Sequence, residues 1–235
     1  MSMIKIIDLN RLSYSKALYI QQKLFNRIRQ SITIKSNHGA ENFDEHPNFL
    51  LLVEHQPVYT IGLRSRQYLD DDFRNKIYQL GADFAVTNRG GLITFHGPGQ
   101  LVAYPIINLK DFPVIQSSIK RFVYHLESVI INVCEDFNIE ASRLKEYPGV
   151  WVQAQRKIAA LGIHCSRFVT MHGVAINCDV DLQWFNHIIP CGIQDQNKSV
   201  TSISRELNLP INIDDVKPLF IEKLEVAMRY FIFID

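Results

Sequence analysis

Two side chains in this 235-residue chain have the types that thiol chemistry requires. Cys191 lies in the stretch IIPCGI, between Pro190 and Gly192. Proline restrains the backbone on one side and glycine frees it on the other, which presents a thiol at a turn. A cysteine attacks as its thiolate, and a nearby cation favours that form. The candidate cations are Lys157, Lys198 and the histidines. Lys157 opens the apolar run KIAALG, so its ammonium belongs at a sheet edge or partly out of water. A solvated strand-end lysine is the plainer reading of the same residue. Spacing along the chain does not say whether residues 157 and 191 meet.

The remaining cysteines invite less chemistry. Cys134 sits in a helical run beside Val133, and Cys165 and Cys178 end strand-like runs, so all three read as packing residues. No C-x-x-C pair occurs, and free thiols are expected in place of a disulfide framework. His164, Cys165, His172, Cys178, His187 and Cys191 crowd one short region, which raises a zinc site. Zinc sites use paired ligands at tight spacing; His187 and Cys191 form a lone H-x3-C pair, which argues against a metal.

A third feature is RGGLITFHGPGQ at positions 89 to 100. It lacks the lysine and hydroxyl of a phosphate loop. A strand pattern, LVAYPII, follows it, so no helix N-terminus is offered to a pyrophosphate. What remains is a pair of strands joined by glycine-rich turns, with His96 exposed between them. Gly90 and Gly91 leave room beside the backbone for a ligand. A tight hairpin with glycines at positive φ is the alternative.

These residues need elements to hold them. Residues 13–30 carry Tyr14, Ala17, Leu18, Leu24, Phe25 and Ile28 on one helical stripe, with Ser13 as N-cap. Residues 31–47 are polar and read as a mobile loop. FLLLVEH and VYTIG read as strands, and DDFRNKIYQLG as a short helix ended by Gly81. Residues 114–137 read as one long helix with Ile115, Ile119, Phe122, Val123, Leu126, Val129, Ile130, Val133 and Phe137 on its apolar face. GVWV, KIAALGIHC and TMHGVAINC are three more strands, DLQWFNHI is helix-like, and a helix spans about 214 to 230. Strands cluster instead of alternating strictly with helices, which predicts a single-domain α+β fold over residues 1–235 with a mostly antiparallel mixed sheet flanked by helices. No repeat or low-complexity linker divides the chain.

Composition is that of an ordinary globular protein: 47% hydrophobic, 21% charged, net charge +1. No block of like charge points to nucleic acid or a membrane as a partner, and no apolar run is long enough to span a bilayer. The start MSMIKIIDLN resembles neither a signal peptide nor a long transit peptide. The expectation is a chain that stays where it is made, or one whose address is very short or missing.

RGGLITFHGPGQLVAYPI resembles the signature of the lipoyl/octanoyl transferase family. LLVEHQPVYTIG, YPGVWV, RKIAALGIHC, HGVAINC, IIPCGI and VTSI resemble that family's other blocks, in its order, over about residues 5 to 230. LITFHGPGQ and DLQWFNHIIPCG look most like animal-type, mitochondrial members; a bacterial member would be cytoplasmic. Gln153 and Gln155 stand where members vary, and residues 31–47 have no clear counterpart. The resemblance implies a fold like the biotin/lipoate ligase catalytic domain, with no metal, nucleotide or other cofactor. It implies transfer of octanoate from octanoyl-acyl carrier protein to lipoyl domains of 2-oxoacid dehydrogenase complexes and glycine cleavage H protein, by a monomer. It makes Cys191 the acyl-thioester nucleophile and Lys157 its partner. It lines an acyl pocket with Arg89, Gly90, Gly91, Leu92, Ile93, Thr94, Phe95 and His96, with Ala160, Leu161 and Gly162, and with Gly173, Val174 and Ala175. The rival on a similar fold is an ATP-dependent lipoate or biotin ligase, which needs no cysteine.

Overall fold

A computed structural model describes residues 3–38, 48–64, 68, 70–190, 195, 197–229 and 231–234. Cys191 lies outside the described residues, as does the stretch 39–47.

The chain opens with strand β1 (Met3–Leu12), helix α1 (Tyr14–His38) and strand β2 (Asn48–His55), and β1 and β2 pair in parallel. The sequence reading assigns no strand to the first residues, yet Ile4 and Ile6 alternate into the core. It also ends the first helix too early, since α1 runs on through His38. Next come β3 (Val58–Ile61), α2 (Asp71–Gln79), β4 (Asp83–Val86), β5 (Thr94–His96) and β6 (Gln100–Ile106). Helix α3 (Ile119–Asp136) leads into β7 (Ala141–Arg143), β8 (Val150–Val152), β9 (Arg156–Ser166) and β10 (Val169–Asn177). Strand β11 (Ser199–Val200), helices α4 (Ile203–Leu207) and α5 (Ile213–Met228), and strand β12 (Phe231–Ile234) close the chain.

Among the described residues the main sheet has nine strands in the order β12-β1-β2-β6-β10-β9-β8-β7, with β11 beside β9. The pairs from β2 through β7 are antiparallel, and β12, β1 and β2 run parallel. This is the α+β, mostly antiparallel class expected from the strand clustering. The central strands β2 and β6 read as near-continuous apolar runs because both faces are covered. On one face α3 and α5 bury Phe122, Leu126, Val129, Ile130, Val133, Phe220 and Leu224 against Leu50, Leu101 and Val174. On the other, α1 buries Ala17, Phe25 and Ile28 against Leu51, Val53 and Val102. Each large apolar side chain so buried contributes roughly 1.5–3 kcal/mol.

The long helix begins later than its periodicity predicts. Pro113–Ile115 form a separate 3-10 turn, and Gln116 and Ser117 adopt positive φ angles of 50° and 54° that break the run. Ser118 then caps α3 by accepting from Arg121 N at 3.4 Å. The helix-like DLQWFNHI is a 3-10 turn over Leu182–His187. A second sheet of three strands, β4-β3-β5, carries the glycine-rich segment, with Val58 opposite His96.

Candidate active site

Between the two sheets lies a cavity of about 280 Å³. Two strands of the main sheet supply one wall. The register pairs Gly162 with Gly173, Leu161 with Val174 and Ala160 with Ala175, and all six residues border the cavity. Two short blocks that are separate in the sequence therefore meet as three consecutive cross-strand pairs.

The glycine-rich segment forms the facing wall. Arg89, Gly90, Gly91, Leu92, Thr94 and His96 border the cavity. Ile93 and Phe95 do not, although the resemblance counts them with the pocket. Successive side chains on a strand point to opposite faces, so Thr94 and His96 turn toward the cavity and Phe95 turns away. Phe95 stacks on Trp184 at 5.0 Å and packs beside Tyr59. Gly90 N donates to Ile163 O at 3.1 Å, which lays the loop against β9. A Cβ on Gly162 would come within 2.9 Å of Gly90 O, so glycine is what permits this approach.

Arg89 is buried and tied down. Its Nη2 donates to Thr60 O at 2.6 Å and to Thr60 Oγ1 at 2.9 Å, and its Nη1 donates to Gly90 O at 3.0 Å. Beside it lie three buried imidazoles. His96, expected to be exposed, is buried instead, and its Nδ1 is 2.7 Å from Gln100 Oε1. Gln100 Nε2 donates in turn to Asn177 Oδ1 at 2.8 Å. His55 bonds Leu12 O through Nδ1 and the Tyr104 hydroxyl through Nε2. Burial pushes His96 down to about 3, helped by the neighbouring His55, and pushes His55 down to about 4. Both are neutral rings at physiological pH. Tyr14 stacks on His96 at 6.4 Å, and burial raises its hydroxyl to about 12.

His172 reaches the cavity through a local break in the sheet. Pro105, opposite on β6, has no N–H to donate. The ladder is interrupted there, Thr170 Oγ1 donates to Pro105 O at 2.7 Å, and His172 takes a φ of 60°. Its backbone N–H donates to Gln21 Oε1 at 3.0 Å instead, and its ring Nε2 is 2.7 Å from Asn88 Oδ1. Burial first, then Arg89, lowers His172 to about 3.

Lys157 borders the same cavity and is 3% exposed. Its carbonyl accepts from Thr201 N at 2.9 Å, which fixes the backbone. Among the described residues its Nζ makes no hydrogen bond; it lies 4.8 Å from the centre of the Trp151 ring. The buried Glu127 nearby is engaged elsewhere, accepting from Gly149 N at 3.1 Å and from Arg143 Nε at 3.1 Å. Lys198 is held by Ala154 O at 3.0 Å and by Asp195 at 3.7 Å.

A family description, the lipoyl protein ligase A/B catalytic domain, matches residues 13–225. The chain belongs to this lipoyl protein ligase A/B family. It is 47% identical to the mitochondrial octanoyl-(acyl-carrier-protein):protein N-octanoyltransferase LIPT2 of Danio rerio, over 93% of this chain and 89% of that one. It is 37% identical to the octanoyltransferase of Bacteroides thetaiotaomicron, over 90% of this chain and 89% of that one. A solved structure of lipoate-protein ligase A bound with ATP superposes with a TM-score of 0.69 at 12% identity, covering all of this chain and 88% of that one, a likeness of fold.

In this lipoyl protein ligase A/B chain, the described thiols are poor nucleophiles. Burial raises Cys134 and Cys178 to about 12 and raises Cys165 as well. Among the described residues no cluster of three His, Cys, Asp or Glu is placed to hold a metal. Sequence reasoning did not find Tyr14, Tyr104, Val123, Pro148 or His172 on the cavity wall. Tyr14 is visible in the sequence only as part of a buried stripe. His172 directly precedes the Gly173 block, which is the one local signal that marks it.

Proposed function

We propose that this protein is an acyltransferase of the mitochondrion that moves an octanoyl group from octanoyl-acyl carrier protein to a lysine of lipoyl domains, the first step of protein lipoylation. The observation that carries this reading is the buried Lys157, whose Nζ makes no hydrogen bond among the described residues, on the wall of an apolar slot closed by the cross-strand pairs Leu161–Val174 and Ala160–Ala175. The 47% identity to an octanoyltransferase supports the same acyl group. Burying the octanoyl chain contributes about 0.8 kcal/mol per methylene. The acceptors are the lipoyl domains of 2-oxoacid dehydrogenase complexes and the glycine cleavage H protein. Residues 1–235 act as one catalytic domain and as a monomer.

The chemistry proceeds in two steps. The Cys191 thiolate attacks the thioester carbonyl, and the bond from that carbon to the carrier sulfur breaks. The carrier leaves as a thiol with a proton from the Lys157 ammonium. The acceptor lysine, as a free amine, then attacks the octanoyl-cysteine. An amide forms, Cys191 leaves as thiolate, and the proton from the attacking amine returns to Lys157. Backbone N–H groups of Cys191 and Gly192 are assigned to the oxyanion in this reading. The thioester is already activated, so no ATP enters.

The test is intact mass after incubation with octanoyl-acyl carrier protein alone. The parent chain gains one octanoyl group and Cys191→Ser gains none. Transfer by Cys191→Ser at the parental rate, or a requirement for ATP, overturns the reading.

A further inference from the structure

We propose that Trp151 is the positioning residue for Lys157, holding its ammonium by the face of the indole ring so that its N–H groups stay open to the reacting atoms. This rests on the reading of Lys157 as the proton carrier of the transfer.

The geometry is specific. Strands β8 and β9 shift register between Val150 and Trp151, and past that bulge Trp151 pairs directly with Lys157. A bulge re-aims side chains at the rim of a sheet. Trp151 is fully buried, and its Nε1 donates to Tyr147 O at 2.9 Å, so the ring has one orientation. Lys157 Nζ sits 4.8 Å from the ring centre, inside the range for attraction between a cation and an aromatic face. The other side of the lysine stem is open only because residue 149 is glycine. Gly149 has a φ of 124°, and a Cβ there would lie 3.3 Å from Lys157 Cε and 2.6 Å from Ala159 O.

The neighbouring groups do not bond to this charge. Glu127 is near enough to feel the Lys157 charge, but its oxygens are bonded to Arg143 and to Gly149 N. Lys198 also approaches the Trp151 ring, at 5.8 Å, but it is anchored on Ala154 O. A carboxylate partner would engage the N–H groups of Lys157 and compete with the thiolate. An aromatic face attracts the ammonium without supplying a competing lone pair, which suits a group that must give up and regain a proton.

The experiment places fluorinated tryptophans at position 151 by site-specific incorporation. Fluorine weakens the negative face of the ring and leaves its shape almost unchanged. The expected result is a kcat for octanoyl transfer that falls stepwise with fluorine number, to about fivefold at full substitution of the benzene ring, while KM and the melting midpoint stay put. Trp151→Phe should fall between the parent and Trp151→Leu. A kcat indifferent to fluorination, or losses that track the melting midpoint, overturns the proposal. Lys157→Ala, run alongside, separates the two ideas. If Lys157→Ala transfers at the parental rate, the proton-carrier reading falls and this one with it. If Lys157→Ala is inactive and fluorination is silent, Trp151 alone is misassigned.

Discussion

Arg89 and Lys157 are two buried cations on the wall of one cavity, and they are held in opposite ways. Arg89 is bonded to Thr60 and Gly90, and the imidazoles around it are hydrogen-bonded as well: His96 on the same wall, His55 behind His96, and His172 on the facing strand. Lys157 rests on an aromatic ring with its Nζ free of hydrogen bonds among the described residues. A guanidinium with a planar fork of donors suits a fixed scaffold, whereas an amine that can lose its proton suits chemistry. The difference shows that burial of a charge does not by itself set its role, and it is the absence of competing bonds that favours Lys157 over Arg89 in the proposed chemistry.

The largest effect expected from this contrast is kinetic. Lys157→Ala should lower octanoyl transfer by about 10²–10⁴-fold with little change in the denaturant midpoint, measured by turnover and urea unfolding on the same sample. A comparable loss of folding would erase the distinction from Arg89.

The histidine cluster around Arg89 should instead answer to pH. His55, His96 and His172 have pKa values near 4, 3 and 3 in the fold, against an ordinary value of 6.5. The unfolded chain therefore takes up protons that the folded chain refuses. There is no penalty well above pH 6.5, and the penalty grows as pH falls toward the folded values. Between pH 7.5 and 5.5 the three together should cost about 4 kcal/mol at most, read as a drop in the urea midpoint. Substituting one of them with Asn should flatten that slope by about a third.

Arg89→Met should cost about 3 kcal/mol, because Thr60 O and Gly90 O lose buried donors. Thermal unfolding checks it, and a variant that keeps stability but loses activity would move Arg89 to the chemical side of the comparison. The smallest expected effect is that of Gly162→Ala, where the new Cβ meets Gly90 O at 2.9 Å between the two walls. It should cost about 1–2 kcal/mol of stability and raise KM for the octanoyl donor more than it lowers kcat.

Much of this site is legible in the sequence, unevenly. The blocks KIAALG, HGVAIN and RGGLITFH are local strings, so their residues can be named before any fold is known. Which side chains within a block face the cavity is set by strand alternation, and that removed Ile93 and Phe95 from the wall. His96 read as exposed because a glycine-flanked histidine looks like a turn residue; the second sheet and Tyr14 cover it. The break before α3 is invisible in the sequence because apolar spacing continues on either side of Gln116 and Ser117, whose positive φ values leave no trace in the pattern.

The sequence by itself determined the α+β class, the apolar strands β2 and β6, and the residue types that bring thiol chemistry within reach, because these depend on neighbours along the chain. Only the tertiary structure decided that Gly162 faces Gly90, that Trp151 lies under Lys157, and that Pro105 turns His172 into the cavity. Those relations depend on register and on a bulge between strands, and a shift of one residue in pairing reverses the face on which every side chain stands.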